Sequence, residues 1–247
     1  MTTMLRAFGL VVVMALGTSV AQAGCDTQDF EGTPITACAI DPATDDLRLF
    51  LYDAEGAPFG SFDALNDALG AEQLQLDIAM NGGMFHTDRA PVGHYVEEGT
   101  EVVRVITSEG PGNCGLLPNG VFCLSDGQAT ITESRTYAAD PPTCRFATQS
   151  GPMLVIEGAL HPKFLADSDS RKVRNGVGVR ADGTVVLAIS DRAINFHSFA
   201  RFFRDQMDTP DALFLDGSVS RLYDRGSGRS DFGPRLGPII GTVSAAD

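Results

Sequence analysis

The sequence predicts an α+β fold, a single domain with a mixed, mostly antiparallel β-sheet core and a few helices. Three observations predict it. Short apolar runs of strand length recur along the chain, bounded by glycine, proline and asparagine turns. Only two stretches carry a helical pattern with start and stop signals. Strict strand–helix–strand alternation, the mark of a parallel sheet, is rare. At 247 residues and 43% hydrophobic, the chain is long enough to bury a sizeable core.

The N-terminus reads as a leader rather than as part of that core. Arg6 supplies a positive start, residues 8–16 an apolar stretch, and Ala21-Gln22-Ala23 a small-x-small cleavage signature. The expectation is a signal peptide over 1–23, a mature domain over 24–247, and a periplasmic or secreted protein. Cys25 just past the cleavage region makes a lipoprotein the alternative, but Gln22 is a poor residue three places before a lipidated cysteine. The apolar stretch is too short for a membrane span, and no other approaches one.

The elements then follow in order. A strand is expected at 47–52, turned by Glu55-Gly56. Ser61 starts a short amphipathic helix at 62–69, which Gly70 stops. A strand at 74–80 runs into Asn81-Gly82-Gly83, and β-like segments follow at 92–96 and 102–106. Pro118-Asn119-Gly120 feeds another strand, residues 128–137 read as a hairpin arm, and Asp140-Pro141-Pro142 as a loop. Gln149-Ser150-Gly151-Pro152 opens into an apolar strand ending at Ile156. After a loop at 162–171, Arg174-Asn175-Gly176 leads a strand whose hairpin partner, at 184–189, is reached through Asp182-Gly183. Ser198 is expected to cap the long helix at 199–207. An apolar strand at 212–215 then ends on Asp216-Gly217-Ser218.

Charge narrows the partners. The formal net charge is −14, and removing Arg6 with the leader makes it more negative still. Such a surface repels nucleic acid and anionic membranes, so an anionic ligand must be met by a local positive site. The five cysteines contain no C-x-x-C pair and read as disulfides of an oxidising compartment. Cys25 with Cys38 would staple the new N-terminus, worth roughly 3 kcal/mol in the chain-entropy account. Cys123 with Cys144 is preferred next, leaving Cys114 free, with Cys114–Cys123 the competing pair.

Five glycine-punctuated polar turns border apolar strands: those at Asn81, Asn119, Gln149, Arg174 and Asp216. Glycine admits close backbone approach, and Asn, Gln and Ser supply neutral donors and acceptors. Singly each is a turn, and Asp216-Gly217 between apolar segments is a strong hairpin signal. Together, with a strand-end aspartate and one arginine, they suit a polyhydroxylated ligand. The four histidines (86, 94, 161 and 197) have no tight ligand spacing, so no metal site or cofactor is implied; a divalent cation has no support in the sequence. Ser150 lacks the G-x-S-x-G elbow of a serine hydrolase.

NGGMF at 81–85, PNGVF at 118–122, TQSGPML at 148–154, RNGVGV at 174–179 and LDGSVS at 215–220 resemble the phosphodiester glycosidase family, in its compact exported bacterial branch. The resemblance covers most of the mature chain. It departs from the family's LDGGGS and RTAVG at Ser218-Val219 and Asn175-Gly176. It implies hydrolysis of the sugar C1–O bond of a sugar-1-phosphodiester, such as a GlcNAc-1-phosphate diester on a glycan or cell-envelope polymer. Phosphate leaves readily, so the second carboxylate of ordinary glycosidases is not obligatory as a proton donor. One carboxylate at the anomeric carbon and a positive cradle for phosphate suffice. Asp216 suits the first role, as nucleophile or base, and Arg174 the second. Asn81, the Gly82 and Gly83 amides, Asn119, Gln149, Ser150, Asn175 and Ser218 are expected around the substrate; Glu97, beside His94 and Tyr95, is read as a second acid or a metal ligand. The competing class is an exported glycan- or exopolysaccharide-binding protein that kept the fold without the reaction. Convergence of Asp216 and Arg174 on one place separates the two.

Overall fold

The computed structural model describes residues 24–246; the leader expected over 1–23 lies outside the described residues. Three sheets form the frame. The widest runs in the order Gly24–Phe30, Thr33–Ile40, Val185–Ser190, Asn175–Val179, Asp211–Phe214, Met153–Ile156 and Ala159–Leu160. A second holds Leu74–Asn81 between Leu222–Asp224 and Ile239–Ala245, with Arg229–Ser230 and Asp46–Phe50 at its edges. The third runs Thr100–Val103, Tyr95–Glu97, Phe146–Ser150, Gly120–Ser125 and Gln128–Glu133. The sheets are antiparallel as expected, in every ladder rather than in most.

The three sheets close on one apolar centre. Leu49, Met80, Phe122, Phe146, Val177, Leu213, Leu215 and Ile240 meet there, drawn from all three. The other face of the widest sheet is covered by the helix Phe196–Arg201 and its π-helical continuation Phe202–Gln206. Phe199, Phe202 and Phe203 of that helix pack on Val155, Val186, Ala188 and Ala212. Strands between these layers are buried on both faces, which is why 185–190 and 212–215 read as continuous apolar runs. Burying each phenylalanine contributes about 2–3 kcal/mol. The helix Phe62–Ala71, capped by the Ser61 hydroxyl, covers the second sheet through Phe62, Leu65 and Leu69.

Several expectations are corrected. The long helix starts three residues early, at Phe196, because Asn195 rather than Ser198 caps it by accepting the Ser198 N–H. The hairpin arm expected at 128–137 is a strand to Glu133 followed by a short helix, Ser134–Ala139, which Glu133 caps. The N-terminal staple lies within a full hairpin, and Cys25 faces Cys38 in its register. The second disulfide is Cys123–Cys144, and Cys114 is a buried free thiol.

The correction that matters most is at Asp216-Gly217. The strand before it, Asp211–Phe214, belongs to the widest sheet, while the strand after it, Leu222–Asp224, pairs with Leu74–Asn81 of the second. The segment is a crossover between sheets, not a hairpin turn.

Candidate active site

The crossover delivers Asp216 to the place where strand ends from two sheets meet. In the ladder, Gly176 faces Phe214, and the Leu215 N–H donates to the Asn175 carbonyl over 3.1 Å. Continuing that register sets Arg174 across from Asp216, beyond the last paired residues. The Asn175 side chain ties the junction. Its Nδ2 donates to the Asn81 carbonyl over 3.1 Å, and its Oδ1 accepts the Asp216 N–H over 3.0 Å. One amide thus fixes the end of a strand in each sheet to the catalytic candidate.

Asp216 is 8% exposed and has no ion pair among the described residues. Burial raises its carboxyl above the ordinary carboxylate range, while the Ser218, Gly217 and Val219 N–H groups work the other way. The Ser218 N–H lies 2.7 Å from Oδ1, and the Ser220 hydroxyl donates to the Asp216 carbonyl. The exposed Ser218 side chain contributes through its backbone alone among the described contacts.

Arg174 is the largest fully buried side chain, 2% exposed. Its Nε donates to the Ile194 carbonyl and its Nη2 to the Ser170 carbonyl, each over 2.9 Å. The guanidinium carbon lies 3.5 Å from the Phe196 ring centroid and 5.5 Å from that of Phe214. Every one of these partners is neutral. Burial alone therefore acts on its pKa, lowering it to about 10. Among the described residues, Asp216 and Arg174 form no ion pair with each other, and neither has a charged partner. A buried carboxyl and a buried guanidinium, each without an ion pair among the described residues, mark these strand ends as the candidate site.

The remaining expected residues divide into two groups. Asn81 gives Oδ1 to the Arg221 N–H, which leaves its Nδ2 buried without a partner. Asn119 donates Nδ2 to the Cys114 carbonyl and leaves Oδ1 buried without one. Asn119 packs against Gly151: a Cβ there would sit 2.6 Å from the Asn119 Cβ. Each of these two amides keeps one buried polar atom with no partner among the described residues. Gln149 keeps none. Its Oε1 accepts from His94 N and Ile106 N, and its Nε2 donates to Ile106 O and to the Ser134 hydroxyl. Ser150 spends its hydroxyl on the Leu215 carbonyl over 2.7 Å. Gly82 donates its N–H to Pro238 O and accepts the Thr148 hydroxyl, and a Cβ there would lie 2.9 Å from Ile240 N. The Gly83 N–H has no acceptor among the described residues. So Gln149, Ser150 and Gly82 hold the strand ends in place rather than offering polar groups outward.

Glu97 stands apart. Its half-buried carboxyl interacts with Leu51 and Tyr95, and nothing ties it to the Asn81–Asn175–Asp216 junction. Sequence reasoning missed Ser170, Ile194, Phe196 and Phe214, the cradle of Arg174, since two carbonyls and two rings from separate segments leave no motif. A cleft of about 860 Å³ opens elsewhere, among Asp45, Asp46, Asp77, Asp224 and Arg225. Its carboxylates would repel a phosphate.

Comparison with known proteins places the chain in a family. The phosphodiester glycosidase family model matches residues 75–230, a span that holds all five turns. The chain is 32% identical over 192 residues to the uncharacterized protein YigE of Escherichia coli (strain K12), covering 78% of this chain and 75% of that one. Its fold is similar to the catalytic domain of zebrafish N-acetylglucosamine-1-phosphodiester alpha-N-acetylglucosaminidase, auto-inhibited there by its pro-peptide. That match has a TM-score of 0.64 at 15% identity over 92% of this chain and 85% of that one. A putative exported protein of Burkholderia pseudomallei K96243 is similar at TM-score 0.57 and 13% identity, over 85% of this chain and 74% of that one. The chain belongs to the phosphodiester glycosidase family.

Proposed function

We propose that this protein is an exported hydrolase of sugar-1-phosphodiesters, acting on the C1–O bond of a GlcNAc-1-phosphate-like unit on a glycan or envelope polymer. The observation that carries the reading is the pair of uncompensated charges: Asp216 and Arg174 lie just beyond the last paired residues of neighbouring strands, both buried, and neither has an ion pair among the described residues. A binding protein that had lost the reaction would have little reason to keep a desolvated carboxylate beside its anion site.

The reaction divides between them. The C1–O bond breaks with its electron pair going to the phosphate oxygen, and water supplies the new C1–OH. Arg174 meets the charge growing on the phosphomonoester, and its neutral surroundings leave its whole positive charge for that purpose. Asp216 acts at the anomeric carbon, as nucleophile or as the base that takes the proton of water. The free Asn81 amide donor and Asn119 acceptor meet sugar hydroxyls. Two disulfides support an oxidising compartment outside the cytoplasm.

The test is a panel of sugar-1-phosphodiesters incubated with purified protein, with release of reducing sugar and of phosphomonoester followed together. Release of both from at least one member is expected. Binding without release across the panel would favour the glycan-binding protein instead.

A further inference from the structure

The start of the helix Phe196–Arg201 does more than cover a sheet. Three consecutive residues there serve one side chain. The Ile194 carbonyl accepts Arg174 Nε, and the guanidinium carbon sits over the Phe196 ring, 3.5 Å from its centroid. Between them, Asn195 donates Nδ2 to the carbonyls of Ala166 and Ser168, anchoring the loop whose Ser170 carbonyl accepts Arg174 Nη2. Phe196 is held in turn. Phe164 stacks on it at 5.0 Å with planes 6° apart, and Phe214 meets it edge-on at 4.8 Å.

The usual way to fix a buried arginine is a carboxylate, which also cancels its charge. Here the fixing is done by a ring quadrupole and by carbonyl dipoles, which restrain the plane and leave the charge intact. The Phe196 side chain can form no hydrogen bond and supplies no charge, so its contribution is the orientation of Arg174. We infer that Phe196 is the positioning residue of the anion site, holding the Arg174 guanidinium in plane without neutralising it. This rests on the reading of Arg174 as the group that meets phosphate.

Titration calorimetry with inorganic phosphate tests it, on wild type and on the variants Phe196→Leu, Phe196→Met and Phe196→Tyr, with melting temperatures taken on each. A desolvated cation–π contact is worth about 2 kcal/mol, so loss of the ring should weaken phosphate binding by roughly tenfold or more. Phe196→Tyr keeps a ring face and should bind within about threefold of wild type. Either aliphatic variant that folds suffices for the comparison. The inference is overturned if a folded Leu or Met variant binds phosphate as tightly as wild type, or if Phe196→Tyr is as weak as they are. Absence of phosphate binding by wild type overturns it together with the anion role of Arg174. Hydrolysis of the methyl diester of GlcNAc-1-phosphate is followed separately. Wild type that binds phosphate without hydrolysing the diester refutes only the hydrolytic function, and the Leu–Tyr comparison then still decides the inference.

Discussion

Two buried arginines lie near Asn81 or Asn175, and they differ in one respect. Arg221 is 8% exposed, donates to the carbonyls of Asp231, Gly233 and Pro234, and lies over the Phe62 ring. Arg174 is 2% exposed, donates to two carbonyls, and lies over Phe196. Burial lowers the pKa of both. For Arg221, the charges of Asp231 and Asp63 oppose that shift; for Arg174 nothing opposes it. Arg221 has carboxylates close enough to act on its charge, and Arg174 has none among the described residues. Burial and hydrogen bonding alone would not have separated them. The neighbouring carboxylates do.

The sharpest way to break the comparison is at the opposite charge. Asp216→Asn preserves size and much of the turn but not the carboxylate, so hydrolysis of a sugar-1-phosphodiester should fall by several orders of magnitude, with the melting temperature held. Near-normal turnover would return Asp216 to the role of a crossover residue. Next in size are the arginines themselves. Arg174→Lys keeps charge and loses the planar fork, and should cost about 10–100-fold in kcat/KM. Arg221→Lys should leave kcat/KM per folded molecule unchanged while lowering stability by about 2 kcal/mol through its lost carbonyl contacts. Steady-state kinetics beside denaturant unfolding measures both. If the two variants behave alike, the distinction drawn from countercharge is wrong.

Smaller still is the contrast among amides. Gln149→Leu strands the His94 and Ile106 N–H groups, and should cost about 2–4 kcal/mol of unfolding free energy. Activity per folded molecule should persist. A loss of kcat/KM without loss of stability would return Gln149 to the substrate.

Much of this was legible in the sequence. Strand runs, both disulfides and the five polar turns are local or compositional signals, and the structure places the turns at strand ends. What local reading cannot see is where a side chain spends its hydrogen bonds. Gln149 and Asn81 look alike as residues before a glycine turn, yet one is saturated and the other keeps a free donor. The Asp-Gly pair reads as a hairpin because the local signal is strong. The sheet joined by the next strand decides otherwise, and that is a tertiary fact. The cradle of Arg174 left no trace at all, since a carbonyl can come from any residue.

Glu97, read from the sequence as a companion to the site, gives the smallest effect, and its sign can be worked out. Desolvation raises its carboxyl from 4.5 to about 7, against the opposing pull of the Leu51 N–H and the Tyr95 hydroxyl, with neighbouring Glu98 pushing the same way as burial. A carboxyl raised in the folded state binds a proton there that the unfolded chain releases. Stability therefore increases as pH falls from about 7 toward 4.5, and the penalty of the charged form is fully present above pH 7. The nominal shift is discounted because the group is only half-buried, leaving about 1–2 kcal/mol. Glu97→Gln removes the charge at every pH. It should unfold at higher denaturant than wild type at pH 8, by about 1–2 kcal/mol, and the gap should close by pH 4.5. Hydrolysis should be unaffected at both, since nothing links Glu97 to Asp216. If instead the variant loses activity at pH 8 with no change in stability, the raised carboxyl serves the chemistry as a second acid, and the site extends to the third sheet.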